Sequence, residues 1–145
     1  MKGVHLSKDE VKVDVVPRLS TGHAEFVWRF DYQEIEFRVS GDSNGPNIAR
    51  FDLARRVTAQ IDEFRREAID YLAHFVVPAH FGATASWYLV GVDFGLNKND
   101  ADVLDAFEIH FVLDEDGYGL WGVRFADSGK GREHYYPFEF NRQQV

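Results

Sequence analysis

Alternation of apolar and polar residues marks the first third of the chain. Val11, Val13 and Val15 alternate with Lys12 and Asp14 and stop at Pro17, which predicts a short strand. Ala24, Phe26, Trp28 and Phe30, separated by Glu25, Val27 and Arg29, predict a second strand with one apolar face. The parity then flips, and Ile35, Phe37 and Val39 alternate with Glu36 and Arg38. A period of two changes phase only at a turn or bulge, so a hairpin turning within residues 31–34 is expected. Residues 40–47 are turn formers (SGDSNGPN) and predict a loop. Beyond them the period becomes helical. Leu53, Val57, Ile61, Phe64, Ala68, Leu72 and Phe75 form one stripe of a single long amphipathic helix. Pro46 in the first turn or an Asp52 cap would start it, and Pro78 would end it.

Residues 87–94 are apolar on both parities until Asp93, the pattern of a central, doubly buried strand. A polar loop at 95–105 and a meander of strands at 107–113, 118–125 and 134–140 follow, with Pro137 marking the last as an edge. The element order is three strands, a helix and four strands. It predicts one α+β domain over residues 1–145, a mainly antiparallel sheet packed on one long helix. One register follows from turn chemistry. A three-residue loop within Asp114-Glu115-Asp116-Gly117-Tyr118, with Gly117 left-handed, sets Phe111 opposite Trp121, Ile109 opposite Val123 and Phe107 opposite Phe125. It also sets Glu108 opposite Arg124 on the other face, a complementary pair.

Composition narrows the class. A chain of 145 residues, 45% hydrophobic and 15% aromatic, can bury a core of its own. With no cysteine, disulfides and thiolate-bound metals are excluded. No stretch has signal-peptide or membrane-span character, so a cytoplasmic location without membrane attachment is expected. Nucleic acid is an unsuitable partner for an acidic chain of formal net charge −8. The charge is concentrated. Asp93, Asp100, Asp102, Asp105, Glu108, Asp114, Glu115 and Asp116 share their window with one base, Lys98. Taking these from the chain's 24 acids and 16 bases leaves 16 against 15 in the other 121 residues.

Motifs for catalysis are fragmentary. Gly41-Asp42-Ser43 resembles the nucleophile block of GDSL-type hydrolases, but the Asp-x-x-His pair that would activate the serine is absent. Asp93-Phe94-Gly95 copies a kinase magnesium motif without its companions and reads as a strand end. Asp114-x-Asp116-Gly117 copies part of an EF-hand loop whose first and last ligand positions fall on Val112 and Val123. Glu108 and His110 share a strand face and form the one acid/base pair worth noting. No cofactor and no metal site is expected.

The outer face of the meander hairpin carries Val112, Tyr118 and Leu120 beside the acidic turn, the composition of a small protein-binding epitope. The hairpin Phe107-x-Ile109-x-Phe111, with Trp121-Gly122-Val123-Arg124-Phe125 and Tyr136-Pro137-Phe138-Glu139-Phe140-Asn141-Arg142, resembles small bacterial α+β domains of the toxin-immunity type over the C-terminal third. That resemblance implies a cytoplasmic, non-enzymatic protein that neutralises a toxin by covering it. Charge complementarity would suit a basic partner. The expected partner-binding residues are Asp114, Glu115, Asp116, Tyr118, Leu120 and Val112, with Asp100, Asp102 and Asp105 adding field. The competing expectation is a small-molecule-binding or hydrolytic domain with a pocket between sheet and helix. Oligomeric state is left open.

Overall fold

The computed structural model describes residues 12–17, 24–96, 105–117, 119–127 and 135–144. β1 (Lys12–Pro17) pairs antiparallel with β2 (Ala24–Tyr32), and β2 with β3 (Ile35–Asp42). The second hairpin is tighter than its pattern implied. Tyr32 faces Ile35, so Gln33 and Glu34 alone make the turn, at φ 54° and 65°. Two left-handed residues match the twist of the flanking strands. Neither side chain favours that conformation, so the register must hold it, and Phe30 stacks on Phe37 at 5.0 Å just inside. Part of the expected loop at 40–47 is strand. Gly45–Pro46 (β4) folds back on Gly41 and Asp42.

Two helices replace the single long one. Asn47 caps α1 (Ile48–Ala59) by accepting from the Arg50 N–H at 3.0 Å, so neither Pro46 nor Asp52 begins it. At Gln60 the backbone leaves the helical region (φ −125°, ψ 25°), and α2 (Ile61–Leu72) follows. The sequence supplies the cause. Val57 and Thr58 are β-branched, and the Thr58 hydroxyl donates back to the Arg55 carbonyl at 2.6 Å, a bond that bends helices. The Gln60 N–H then reaches Val57 instead of continuing the i−4 ladder. Leu53, Val57, Ile61, Phe64, Ala68 and Leu72 are buried as the stripe predicts. Phe75 is not: α2 stops at Leu72, before Pro78 could stop it, and Phe75 is 58% exposed. A short 3-10 turn, Pro78–His80, leads on.

β5 (Trp87–Phe94), β6 (Ala106–Leu113), β7 (Gly119–Asp127) and β8 (Tyr135–Gln144) complete a sheet of order β1-β2-β3-β5-β6-β7-β8, with β4 on β3. The β3–β5 junction is parallel, because the two helices cross over between those strands; the other junctions are antiparallel. The fold is therefore α+β with a mostly antiparallel sheet. β5 is central but doubly buried only at its end, from Val92 to Phe94, while Tyr88 is exposed. β8 is an edge, and Pro137 sits at its bulge opposite Phe125. The β6–β7 register is the expected one, down to Glu108 opposite Arg124. The left-handed residue of that hairpin, however, is Glu115 (φ 70°) and not Gly117. Two successive turns close the connection, from Asp116 N–H to Leu113 and from Gly119 N–H to Asp116.

The helices cover one face. Phe64 of α2 meets Phe107, Phe125 and Tyr135 edge-on at 5.2, 5.5 and 6.4 Å, and Trp121 is buried. Among the described residues no helix is long and apolar enough to cross a membrane.

Candidate functional site

Pleating sends alternate side chains to the face on which no helix packs among the described residues, and pairing aligns them across strands. One row reads Arg29, Arg38, Asp93, Glu108, Arg124 and Glu139 from β2 to β8. The next reads Glu36, Gly91, His110, Gly122 and Asn141. Further along the strands, two residues on except in β5, where the register slips by one, Tyr88 faces Val112 and Leu120 faces Gln143. The face therefore passes from charged to polar to apolar toward the acidic turn.

Asp93, Glu108, His110 and Arg124 are buried, so their charges require partners. Arg38 binds Asp93 with two parallel bonds, Nε to Oδ1 at 2.8 Å and Nη2 to Oδ2 at 2.7 Å. His110 Nε2 lies 3.0 Å from the same Oδ2. An ionised carboxylate only accepts, so Nε2 carries the proton and donates. Glu108 Oε1 is 3.9 Å from His110 Nε2, and its Oε2 accepts from Asn141 Nδ2 at 2.7 Å. Gly122 makes room for that carboxylate, since a Cβ there would fall on Glu108 Oε2. Arg29 pairs with Glu36 at 2.7 Å. Arg124 pairs with Glu139 and lies 4.9 Å over the Phe138 ring.

Burial alone would raise the Asp93 carboxyl, but the bonds and charges of His110 and Arg38 outweigh it and hold it below its ordinary value. Burial likewise opposes charge on His110. The Asp93 bond and the charges of Asp93 and Glu108 prevail and raise its pKa above the ordinary value. His110 Nδ1 and Asn141 Oδ1 are buried with no hydrogen-bond partner among the described residues. This arrangement can hold or pass a proton. Among the described residues no Ser, Thr or Lys joins the Asp93–His110 pair in these rows as a nucleophile, and no group of three metal-ligating side chains forms.

The expected Glu108–His110 pair is thus real in space, but Asp93 is the carboxylate that binds His110 directly. The signal was present, since Asp93 is the one charge in an apolar strand and Arg38 lies on a predicted strand. Ser43 sits exposed in the β3–β4 turn. Asp116, expected on the partner-binding surface, is 7% exposed and accepts from Trp121 Nε1 at 2.8 Å and from Arg142 Nε and Nη2 at 3.0 and 2.7 Å. Its hydrogen bond from Arg142 holds the Asp116 pKa below its ordinary value. Asp114 is half-buried, with its N–H on the Ser86 carbonyl, while Glu115 and Asp105 are exposed. Val112 and Leu120 are half-buried. Tyr118, Asp100 and Asp102 lie outside the described residues.

Among the described residues, a cleft lined by Leu53, Arg56, Val57, Ala59, Gln60, Phe64 and Tyr135 holds about 110 Å³, below the roughly 300 Å³ at which ligand pockets begin. A larger one of about 640 Å³ lies where β3 and β4 meet the start of α1, with Ser40, Asp42, Asn47 and Arg50 in its lining. No protein-family model, no curated protein and no solved structure matches this chain.

Proposed function

We propose that this chain is a non-enzymatic protein-binding domain that docks a basic protein on the helix-free face, at its apolar, acidic end. The observation that carries the reading is Tyr88, 55% exposed in the middle of the sheet beside Val112, with Leu120 two strands along. A large aromatic left in water at a central strand is costly unless something covers it, and aromatic anchors ringed by polar groups are the usual interface composition. Asp114 and Glu115 at the adjoining turn supply the charge that a basic partner would meet. Neutralisation of a basic toxin in the cytoplasm is the specific case that the C-terminal resemblance implies.

The reading is tested by affinity capture from the native host with wild type and with the Tyr88→Ala/Leu120→Ala double variant as bait. A basic protein retained by the wild type and released by the variant, at unchanged bait folding, is the expected result. A toxin would also lose its activity when titrated with the wild-type chain. Equal recovery by both baits would remove this face from the interface.

A further inference from the structure

We propose that Arg38, Asp93 and His110 form a proton-dependent clamp on the seam where the two halves of the sheet join. The β3–β5 junction is the one parallel pairing among the described strands, and it spans only four residue pairs, from Glu36–Gly91 to Val39–Phe94. It joins the N-terminal hairpins to the C-terminal meander. Just beside it, the β5–β6 pairing slips between Leu89 and Gly91. A short parallel register next to a bulge is a weak line in a sheet.

The Arg38–Asp93 pair crosses that line, and His110 holds the same carboxylate from β6, beside the slipped register. Asp93 on β5 takes Arg38 from β3 on both oxygens and His110 from β6 on one. Arg38 is partly open to water, with its side chain 37% exposed, whereas Asp93 and His110 are each 9% exposed. Water therefore weakens the arginine's hold more than the imidazole's. When His110 is protonated, the buried carboxylate faces two cations; when it is neutral, only the half-solvated one remains. The described groups around His110 are Arg38 and Glu36 on β3, Asp93 on β5, Glu108 on β6, Arg124 on β7, and Glu139 and Asn141 on β8. Burial and the Arg38 charge oppose its proton, and the Asp93 bond with the charges of Asp93 and Glu108 favour it and prevail.

The sign follows from linkage. A histidine held above its unfolded pKa stabilises the fold fully below that unfolded value, and the stabilisation is lost as pH rises through the folded value. Asp93, held below its ordinary value, keeps its share above the ordinary carboxylate range and loses it as pH falls. The clamp is thus closed in mildly acidic solution and loosens toward alkaline pH.

Melting temperature and amide exchange from pH 5.5 to 8.5 test this, with wild type against His110→Gln. Glutamine can keep an N–H on Asp93 but cannot titrate. The wild-type melting temperature should fall by about 2–4 °C more than the variant's across that range. Protection of the β3 and β5 seam amides should drop about tenfold per unit of pKa displacement, while β6–β7 amides hold. Parallel melting curves for the two proteins would overturn the clamp. Should the variant not fold, the wild type alone decides: seam protection, corrected for intrinsic exchange, that stays constant while the His110 ring titrates by NMR also overturns it.

Discussion

Replacing Phe64 with alanine should be the most damaging single truncation on α2, and its size can be worked out from its contacts. The ring is 8% exposed and meets three aromatic rings edge-on, from β6, β7 and β8. Truncating a buried phenylalanine costs about 3–5 kcal/mol in lost transfer energy and residual cavity. Each edge-to-face pair adds about 0.5–1.5 kcal/mol beyond buried area. Phe107 and Phe125 are themselves stacked at 5.0 Å and cannot easily close the gap, so the loss should lie near 5 kcal/mol. At this chain length that lowers the melting temperature by about 10–20 °C. Phe64→Leu keeps most of the volume and loses mainly the ring contacts, so about 1.5–2 kcal/mol is expected. Urea unfolding followed by tryptophan fluorescence, with calorimetry alongside, measures both. A Phe64→Ala loss under 2 kcal/mol, or equal losses for the two variants, would refute the reasoning that aromatic edge contacts dock α2.

Two further predictions concern single sites. Asp116→Asn should destabilise clearly more than Asp114→Asn, which should stay within about 0.5 kcal/mol. Because the Asp116 pKa is lowered, its contribution is present above the ordinary carboxylate value and lost as pH falls through the folded one, so the asparagine variant should show a flatter acid limb in urea unfolding from pH 5 to 2.5. Gly122→Ala should displace Glu108 and break its bond to Asn141, which a melting-temperature loss reduced in the Glu108→Ala background, where the clashing atoms are gone, would register.

Local periodicity made the hairpins legible. Period two fixes parity, and the apolar pairs Phe111–Trp121 and Ile109–Val123 then allow one register. The helix stripe was legible for the same reason. Its interruption was not, because a back-bond from Thr58 competes with a ladder that the hydrophobic pattern alone does not see. The parallel β3–β5 junction was also hidden. Period two tells which face a residue occupies, never which strand lies beside it. Arg38 reaches Asp93 through that junction and His110 through the β5–β6 pairing with its slipped register, and so a reading of Asp93 as a strand end contains neither.

The acidic window shows what a count along the chain overstates. Eight acids in 24 residues look like one field. In the fold, Asp93 is bound by Arg38, 55 positions away, and Asp116 by Arg142, 26 positions away. Glu108 is buried beneath Asn141. Arg38, Arg142 and Asn141 all come from outside the window, so three of its acids bond across the sheet instead of projecting from it. Of the window's described acids, Asp105 and Glu115 are exposed and Asp114 is half-buried. Steering depends on exposed charge, which salt screens beyond about 8 Å at physiological ionic strength. If the proposed docking surface is right, Asp114→Asn/Glu115→Asn should slow association with a captured partner at low salt, and the difference should shrink as salt rises. Adding Asp116→Asn should leave the association rate of the folded protein where the double variant put it. A further slowing of association by Asp116→Asn, at matched folded fraction, would mean that this carboxylate meets the partner and that its bonds to Trp121 and Arg142 open on binding.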